Sequence, residues 1–446
     1  MVYSKIPLLR YLFRMILNID LQKILFNHIM NSKKIFVFAL ASGLALASCK
    51  KEKGCTDSAA TNYSATAEKD DGSCDYSDPY AATKSAIKTT YANIVLASYQ
   101  DSKTLAVALK SEIDAFVANP TAQGLEDCKA AWLAAREPYG QTEVYRFGDG
   151  PIDDADGPEG ALNAWPLDEG YIDYTTSSAA SGIINDAATY PTIDAATLES
   201  LNEVGGEANI SIGYHAIEFL LWGQDDANTS LQTPGQRPYT DYLTTGGTAT
   251  NQVRRGDYLK ACASLLVDHL DLMVNEWSIG GSNYRATFLA LNNNVALTKI
   301  LTGMGTLSKS ELAGERIFVA LDNQDQEDEH SCFADNTHRD IILNAQGIRN
   351  VYLGEYHKID GTVVTGTSID DLIGDINATR KNEMDMLSAL SVSSCNAIPV
   401  PFDYSLTQET TGGNGPIMSA ISALQDQGDK IVQMGIDFGL TISTDL

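Results

Sequence analysis

"YAATKSAIKTTYANIVLASYQ", residues 80–100, sets Ile87, Tyr91, Ile94, Val95, Ser98 and Tyr99 at intervals that return to one face of a helix. That spacing predicts a helix, and the Ala-, Lys-, Leu- and Glu-rich texture carries it through 80–118. The pattern resumes over 122–147 with Leu125, Cys128, Trp132, Arg136 and Tyr139. It returns at roughly 195–223, 253–278, 284–305, 309–322, 338–353, 368–390 and 415–435. Strand signals are scarce, and only "GTVVTG", 361–366, reads as a hairpin fragment. The expected fold is all-α, built of helical bundles. The loops 148–192, 223–252 and 323–337 are long and rich in Gly, Pro and Asp, a length that points to function or disorder.

The 446 residues suit two or three domains, and a hydrophobic fraction of 44% against 20% charged residues supplies a sizeable core. Acidic residues number 58 and basic residues 31, for a net charge of -27. This excludes nucleic acid as a partner, because a phosphate backbone needs a basic footprint. It suits cations, and it also keeps a protein in solution.

Residues 30–49, "MNSKKIFVFALASGLALASC", read as a signal peptide: Lys33 and Lys34 precede an apolar stretch from Ile35 to Ala47 that is too short for a membrane span. Leu46-Ala47-Ser48-Cys49 resembles a bacterial lipobox, which makes Cys49 the lipidated mature N-terminus. Residues 1–29 place a second basic, apolar segment upstream, so Met30 is the expected start of translation. The anchor is then lipid and the body soluble.

Six further cysteines fit an exported chain. Cys55 and Cys74 share one short polar segment and are the expected disulfide. Cys332 with Cys395 is a second candidate pair, while Cys128 and Cys262 fall on helical stretches as buried thiols. The polar segment, 49–79, reads as a tether. Its "GCTDSAATNYSATAEKDDGSC" resembles a cysteine-bounded module of secreted Bacteroidetes proteins. A faint echo, Glu143 to Phe147 against Glu329 to Phe333, is compatible with two related bundles meeting at an interface. The expected organisation is thus 1–48 signal region, 49–79 tether, 80–250 N-terminal domain and 251–446 C-terminal domain.

Chemistry concentrates in two stretches. In "GYHAIEFLLWGQDD", 213–226, His215 and Glu218 are three apart in an apolar run, so both reach one point off a helix face. Imidazole plus carboxylate is a borderline ligand pair suited to zinc or iron. The bland alternative is a buried His–Glu hydrogen bond. Gly213 would let the start of that helix approach another backbone. In "DNQDQEDEHSCFADNTHRD", 322–340, acids surround His330 and His338, and Cys332 with Phe333 would pin the loop down.

"GYHAIEFLLWGQD" carries a Gly-x-His-x-x-Glu motif and resembles the imelysin-like family. "ERIFVALDNQDQEDEHSCFADNTHRDI", 315–341, is similar to that family's second signature, and "AWLAAREPYGQTEVYRFGDGPID", 131–153, to its N-terminal block. The resemblance implies an exported or surface protein of two all-helical domains. It implies a site at their interface near Gly213, His215 and Glu218, and a tie to bacterial iron uptake; some members carry a peptidase label. It makes Glu143, Glu329 and Asp335 candidate metal partners of His215 and Glu218, with Arg136 and Arg316 orienting carboxylates. The expected cargo is a divalent or trivalent metal ion or metal chelate, iron favoured and zinc next. The expected place is the cell envelope, at the outer membrane, with an uptake partner there. Two other readings stand beside it. A metallopeptidase lacks its usual His-Glu-x-x-His here, and an interaction protein would use the His–Glu pair structurally. On the metal reading, affinity should weaken as pH falls through the histidine range near 6.5.

Overall fold

The computed structural model describes residues 51–155, 157–225 and 232–445. The signal-peptide reading and the lipidation of Cys49 fall outside these residues. No helix of the described residues is long and apolar enough to cross a membrane.

The chain divides into two compact units, with the boundary after Ser77. In the first, strands β1 (Lys53–Gly54) and β2 (Lys69–Asp70) pair in parallel. Cys55 and Cys74 are disulfide-bonded. With so little apolar surface, side chains supply the order: Asn62 Oδ1 accepts from the Asp75 backbone at 2.7 Å, and the Tyr76 hydroxyl donates to Asp57 at 2.8 Å.

The second unit is helical, as the periodicity predicts. Its main helices are α1 (Ala81–Ala118), α2 (Ala122–Tyr139), α3 (Ala195–Leu201), α4 (Gly213–Trp222), α5 (Gln252–Trp277), α6 (Tyr284–Ala290), α7 (Asn293–Thr306), α8 (Thr337–Leu353), α9 (Ile369–Ile376), α10 (Ala378–Asn396) and α11 (Pro416–Asp437). The face of α1 read from the sequence is buried at Ile87, Tyr91, Ile94, Val95, Ser98 and Tyr99. It packs on α2 and α5. At the other end of the sequence α11 packs on α10 and on a π-helical stretch, Leu307–Phe318, that continues α7. The hairpin expected at 361–366 is present as β3 (Glu355–His357) paired antiparallel with β4 (Val363–Thr365). Because α1 contacts both α2 and α5, packing continues across residue 250, where the sequence set its division.

Four expected helices are interrupted: 284–305 breaks between α6 and α7, where the Asn292 side chain caps α7, and the other three each have a local reason. The stretch 122–147 is α-helical to Tyr139 and then tightens into a 3-10 segment, Gly140–Gly148. A Cβ at Gly140 would lie 2.9 Å from the Leu343 side chain, so this close approach admits only glycine. The stretch 195–223 is two helices separated by Gly205 and Gly206, with Gly205 at φ +91°. The stretch 368–390 restarts at Asn377, whose side chain accepts from the Arg380 backbone at 3.1 Å as an N-cap.

Cys128, Cys262, Cys332 and Cys395 are buried free thiols. The Cys332–Cys395 pair is therefore a correction: Cys395 is on α10 and Cys332 in the acidic loop before α8, each filled into its own part of the core.

Candidate metal centre

All ten residues of α4 are buried, because its apolar side chains pack on α2 and α5 on opposite sides. Gly213 starts it at φ +91°, and a Cβ there would lie 2.7 Å from the Leu162 carbonyl oxygen. The glycine thus lets α4 begin against 161–163, beside Asn163.

His215 is 2% exposed and Glu218 0%. His215 Nδ1 and Glu218 Oε2 are 2.8 Å apart, and Glu218 Oε1 accepts from the Ala334 backbone at 2.9 Å. Glu218 therefore has both oxygens engaged, one on its own helix and one pinning the acidic loop. Burial disfavours both charged forms, holding His215 well below the usual imidazole range and pushing Glu218 well above the usual carboxylate range. His215 Nε2 has no hydrogen-bond partner among the described residues.

The loop brings His330 to this helix. The two imidazoles are 4.9 Å apart, centroid to centroid, and Trp165 stands edge-on to His330 at 5.5 Å. Asn163 Nδ2 lies 3.2 Å from His330 Nε2 and 3.4 Å from Glu143 Oε1. Arg136 donates to Asn163 Oδ1, which fixes the amide's orientation, so Nδ2 donates and His330 Nε2 accepts. The His330 proton then sits on Nδ1, 3.7 Å from Asp340 Oδ2. Asp340 also accepts from Arg136 at 2.8 Å and from the Ser331 hydroxyl. Burial first, and then the guanidiniums of Arg316 and Arg136, hold His330 well below its usual range.

The candidate ligands separate. Glu143 is an ion-pair partner: Arg316 donates to it at 2.6 Å and Arg146 lies 3.6 Å away. Burial pushes its carboxyl up, but these guanidiniums outweigh that and hold it below the usual range. Arg136 and Arg316 orient Asp340 and Glu143, the task the sequence reading assigned them. Glu329 lines a small cavity with His215, His330, Trp165, Leu167, Glu327, Cys332 and Phe333; its space, ≈ 10 Å³, is that of about one water. Its Oε1 is buried without a hydrogen-bond partner among the described residues, and burial followed by the Asp403 charge pushes its carboxyl well up. Asp335 is not among the residues lining that cavity. Its carboxylate and those of Asp225 and Asp403 offer oxygens within 4.8 Å of one another. Burial and then Asp403 push Asp335 up to about 7. His338 does not line the cavity, and its Nδ1 is 3.1 Å from the Asp335 carbonyl oxygen.

Sequence reasoning missed Asn163, Trp165, Asp225 and Asp403. None sits in a recognisable spacing, and each reaches its place through a long loop or a one-turn helix, Phe402–Leu406 for Asp403.

The comparisons bear on family and fold. The Imelysin (Peptidase M75) family model matches residues 95–431. The iron-regulated protein A of Synechococcus elongatus is 24% identical over 359 residues, 78% of this chain and 85% of that one. A crystal structure described as an iron-regulated protein A precursor from Parabacteroides distasonis is similar at a TM-score of 0.62 and 21% identity, over 81% of this chain and 96% of that one. An imelysin-like protein from Psychrobacter arcticum is similar at a TM-score of 0.57 and 14% identity, over 82% and 98%. The family match spans most of the helical unit and all the residues of the centre, and the chain belongs to the Imelysin family.

Proposed function

We propose that this protein is a lipid-anchored envelope protein of iron handling that takes up a metal ion in the cavity between α4 and the acidic loop. The observation that carries the reading is that three buried atoms on residues lining one cavity, His215 Nε2, Glu329 Oε1 and His330 Nδ1, lack hydrogen-bond partners among the described residues, and the first two are acceptors, His330 Nδ1 carrying the ring proton. An unsatisfied buried polar atom costs about 1–3 kcal/mol, so two acceptors beside one cavity favour a ligand that engages both. His215 and Glu329 are the ligands in this reading. Glu218 accepts the His215 Nδ1 proton and so presents Nε2 as a lone pair, the carboxylate–histidine arrangement common around bound metals. The imidazole–carboxylate set suits iron or zinc. The family membership and the name of the cyanobacterial relative support iron first. Two protein ligands leave coordination positions open, and a space of about one water suits a bare ion better than a chelate. Envelope placement rests on the sequence, with Cys49 as the lipid acceptor and an outer-membrane uptake system as the partner.

The test is metal content and calorimetric titration of the purified protein with ferrous, ferric-citrate and zinc salts. One equivalent bound by the wild type and lost in His215→Ala supports the reading. Unchanged affinity in both His215→Ala and Glu329→Gln would sink it. Detergent partitioning of the native protein, abolished in Cys49→Ala, tests the anchor.

A further inference from the structure

We propose that Asp225, Asp335 and Asp403 form a second cation site, built of oxygen donors alone and selective for a hard divalent cation of the calcium type. The three carboxylates come from separate parts of the chain. Asp225 follows α4, Asp335 lies in the loop before α8, and Asp403 sits on the one-turn helix Phe402–Leu406. Their oxygens nonetheless lie within 4.8 Å of one another. Like charges at that range repel, and neither Asp335 nor Asp403 is ion-paired with a Lys or Arg among the described residues.

A second observation points the same way. Glu329 is 2% exposed, belongs to none of the three segments' ends, and keeps Oε1 without a hydrogen-bond partner among the described residues. Burial first, and then the charges of Asp403, Asp335 and Asp225, push its carboxyl well up. Asp403 is likewise 4% exposed with Oδ1 unpartnered among the described residues. A cluster that is only a solvated acidic face would turn these oxygens to water; here they are turned inward.

The donor chemistry decides the ion. Carboxylate oxygens without nitrogen or sulfur select hard cations, and irregular loops tolerate the variable coordination of calcium better than the strict octahedron of magnesium. A cation held there would tie the segments of residues 225, 335 and 403 together. None of the three lines the cavity, so the site is a structural clasp on the acidic loop rather than a part of that cavity. Cation binding to the folded state alone raises thermal stability in proportion to occupancy.

The experiment uses the full mature chain, stripped with chelator and titrated with calcium chloride by calorimetry and thermal melts. The expected result is a calcium-dependent rise in Tm of several degrees. It should be lost in Asp403→Asn and in the less buried Asp225→Asn, and kept in His215→Ala. Asp225→Asn guards against a folding defect at the buried position, and the calcium-free melts of both variants show whether the fold survives. No calcium response in the wild type overturns the proposal, and so does a response unchanged in both variants. A calcium response that vanishes in His215→Ala as well would mean one merged site, which also overturns it. Failure of iron binding with the calcium response intact would sink the proposed function and leave this site standing.

Discussion

The imidazoles of His215 and His330 lie 4.9 Å apart but are wired in opposite senses. His215 is held through Nδ1, leaving Nε2 without a partner among the described residues. His330 is held through Nε2, which accepts from Asn163. Only one of the two rings therefore offers its lone pair to a cation, although both line the cavity.

Metal binding should follow that asymmetry. His215→Ala should abolish stoichiometric iron or zinc. Glu218→Gln should weaken affinity about 10- to 100-fold, the usual effect of removing a carboxylate that orients a histidine ligand. His330→Asn should cost less than Glu218→Gln. Isothermal titration of the three variants checks the order, and a His330 variant weaker than the Glu218 variant would contradict it.

The pH dependence should differ from that of an ordinary histidine site. His215 is neutral well below 6.5, so its own protonation does not limit binding at mildly acidic pH. The carboxyls of Glu218 and Glu329 are pushed up and must give up protons as a cation enters. Affinity should still fall with falling pH, but through these carboxyls rather than the imidazole, with proton release measurable as a buffer-dependent binding enthalpy. Glu329→Gln should flatten the decline, and an unchanged pH profile would point to a histidine instead.

Stability carries a separate pH signature at Glu159. Burial outweighs its 3.2 Å contact with Arg146 and pushes its carboxyl up to about 7. A carboxyl raised on folding binds a proton more tightly in the folded state. Its contribution is present below the unfolded value, about 4.3, and is lost as pH rises through about 7. Glu159→Gln imitates the protonated form. It should raise stability at pH 8 by about 1–3 kcal/mol, and leave pH 4 nearly unchanged. Urea melts at the two pH values decide this.

Gly213→Ala should destabilise the fold by roughly 2–4 kcal/mol, since it adds a strained positive φ to a Cβ set 2.7 Å from the Leu162 oxygen. The same push should displace Asn163 and loosen His330. Thermal melts beside metal titration should show both losses together.

Thiol chemistry separates the two kinds of cysteine. Burial pushes Cys128 and Cys395 up to about 12, and Cys262 and Cys332 also well up, so none is reactive in the native state. Alkylation should label these four only after denaturation, and Cys55 with Cys74 only after reduction as well.

The helical fold was legible because burial follows period: Ile87, Tyr91, Ile94 and Val95 are buried where 3.6 residues per turn sets them. His215 and Glu218 were legible because two ionisable groups in a ten-residue buried helix stand out against it. Their division of labour was not, since which oxygen of Glu218 meets which atom depends on the Ala334 amide, more than a hundred residues away. Glu143 read as a ligand because its carboxylate is visible in sequence and the Arg316 that neutralises it is not visibly near. Asn163 and Asp403 carry no periodic or motif signal at all. They are placed by loops whose paths the packing of other elements dictates.

The π-helical stretch Leu307–Phe318 has a consequence for chain length. Its wider winding stacks residues five apart, so Arg316 donates to Glu311 at 2.9 Å while reaching Glu143 at 2.6 Å. In an α-helix, at about 100° per residue, the same two positions would point about 140° apart. Deleting one residue between them would rewind the segment and swing the guanidinium off Glu143, leaving the buried carboxylate with only the longer 3.6 Å contact to Arg146. This part of the chain should therefore accept many changes of letter and few changes of count, so that a single-codon loss near residue 313 would do more harm than most substitutions there.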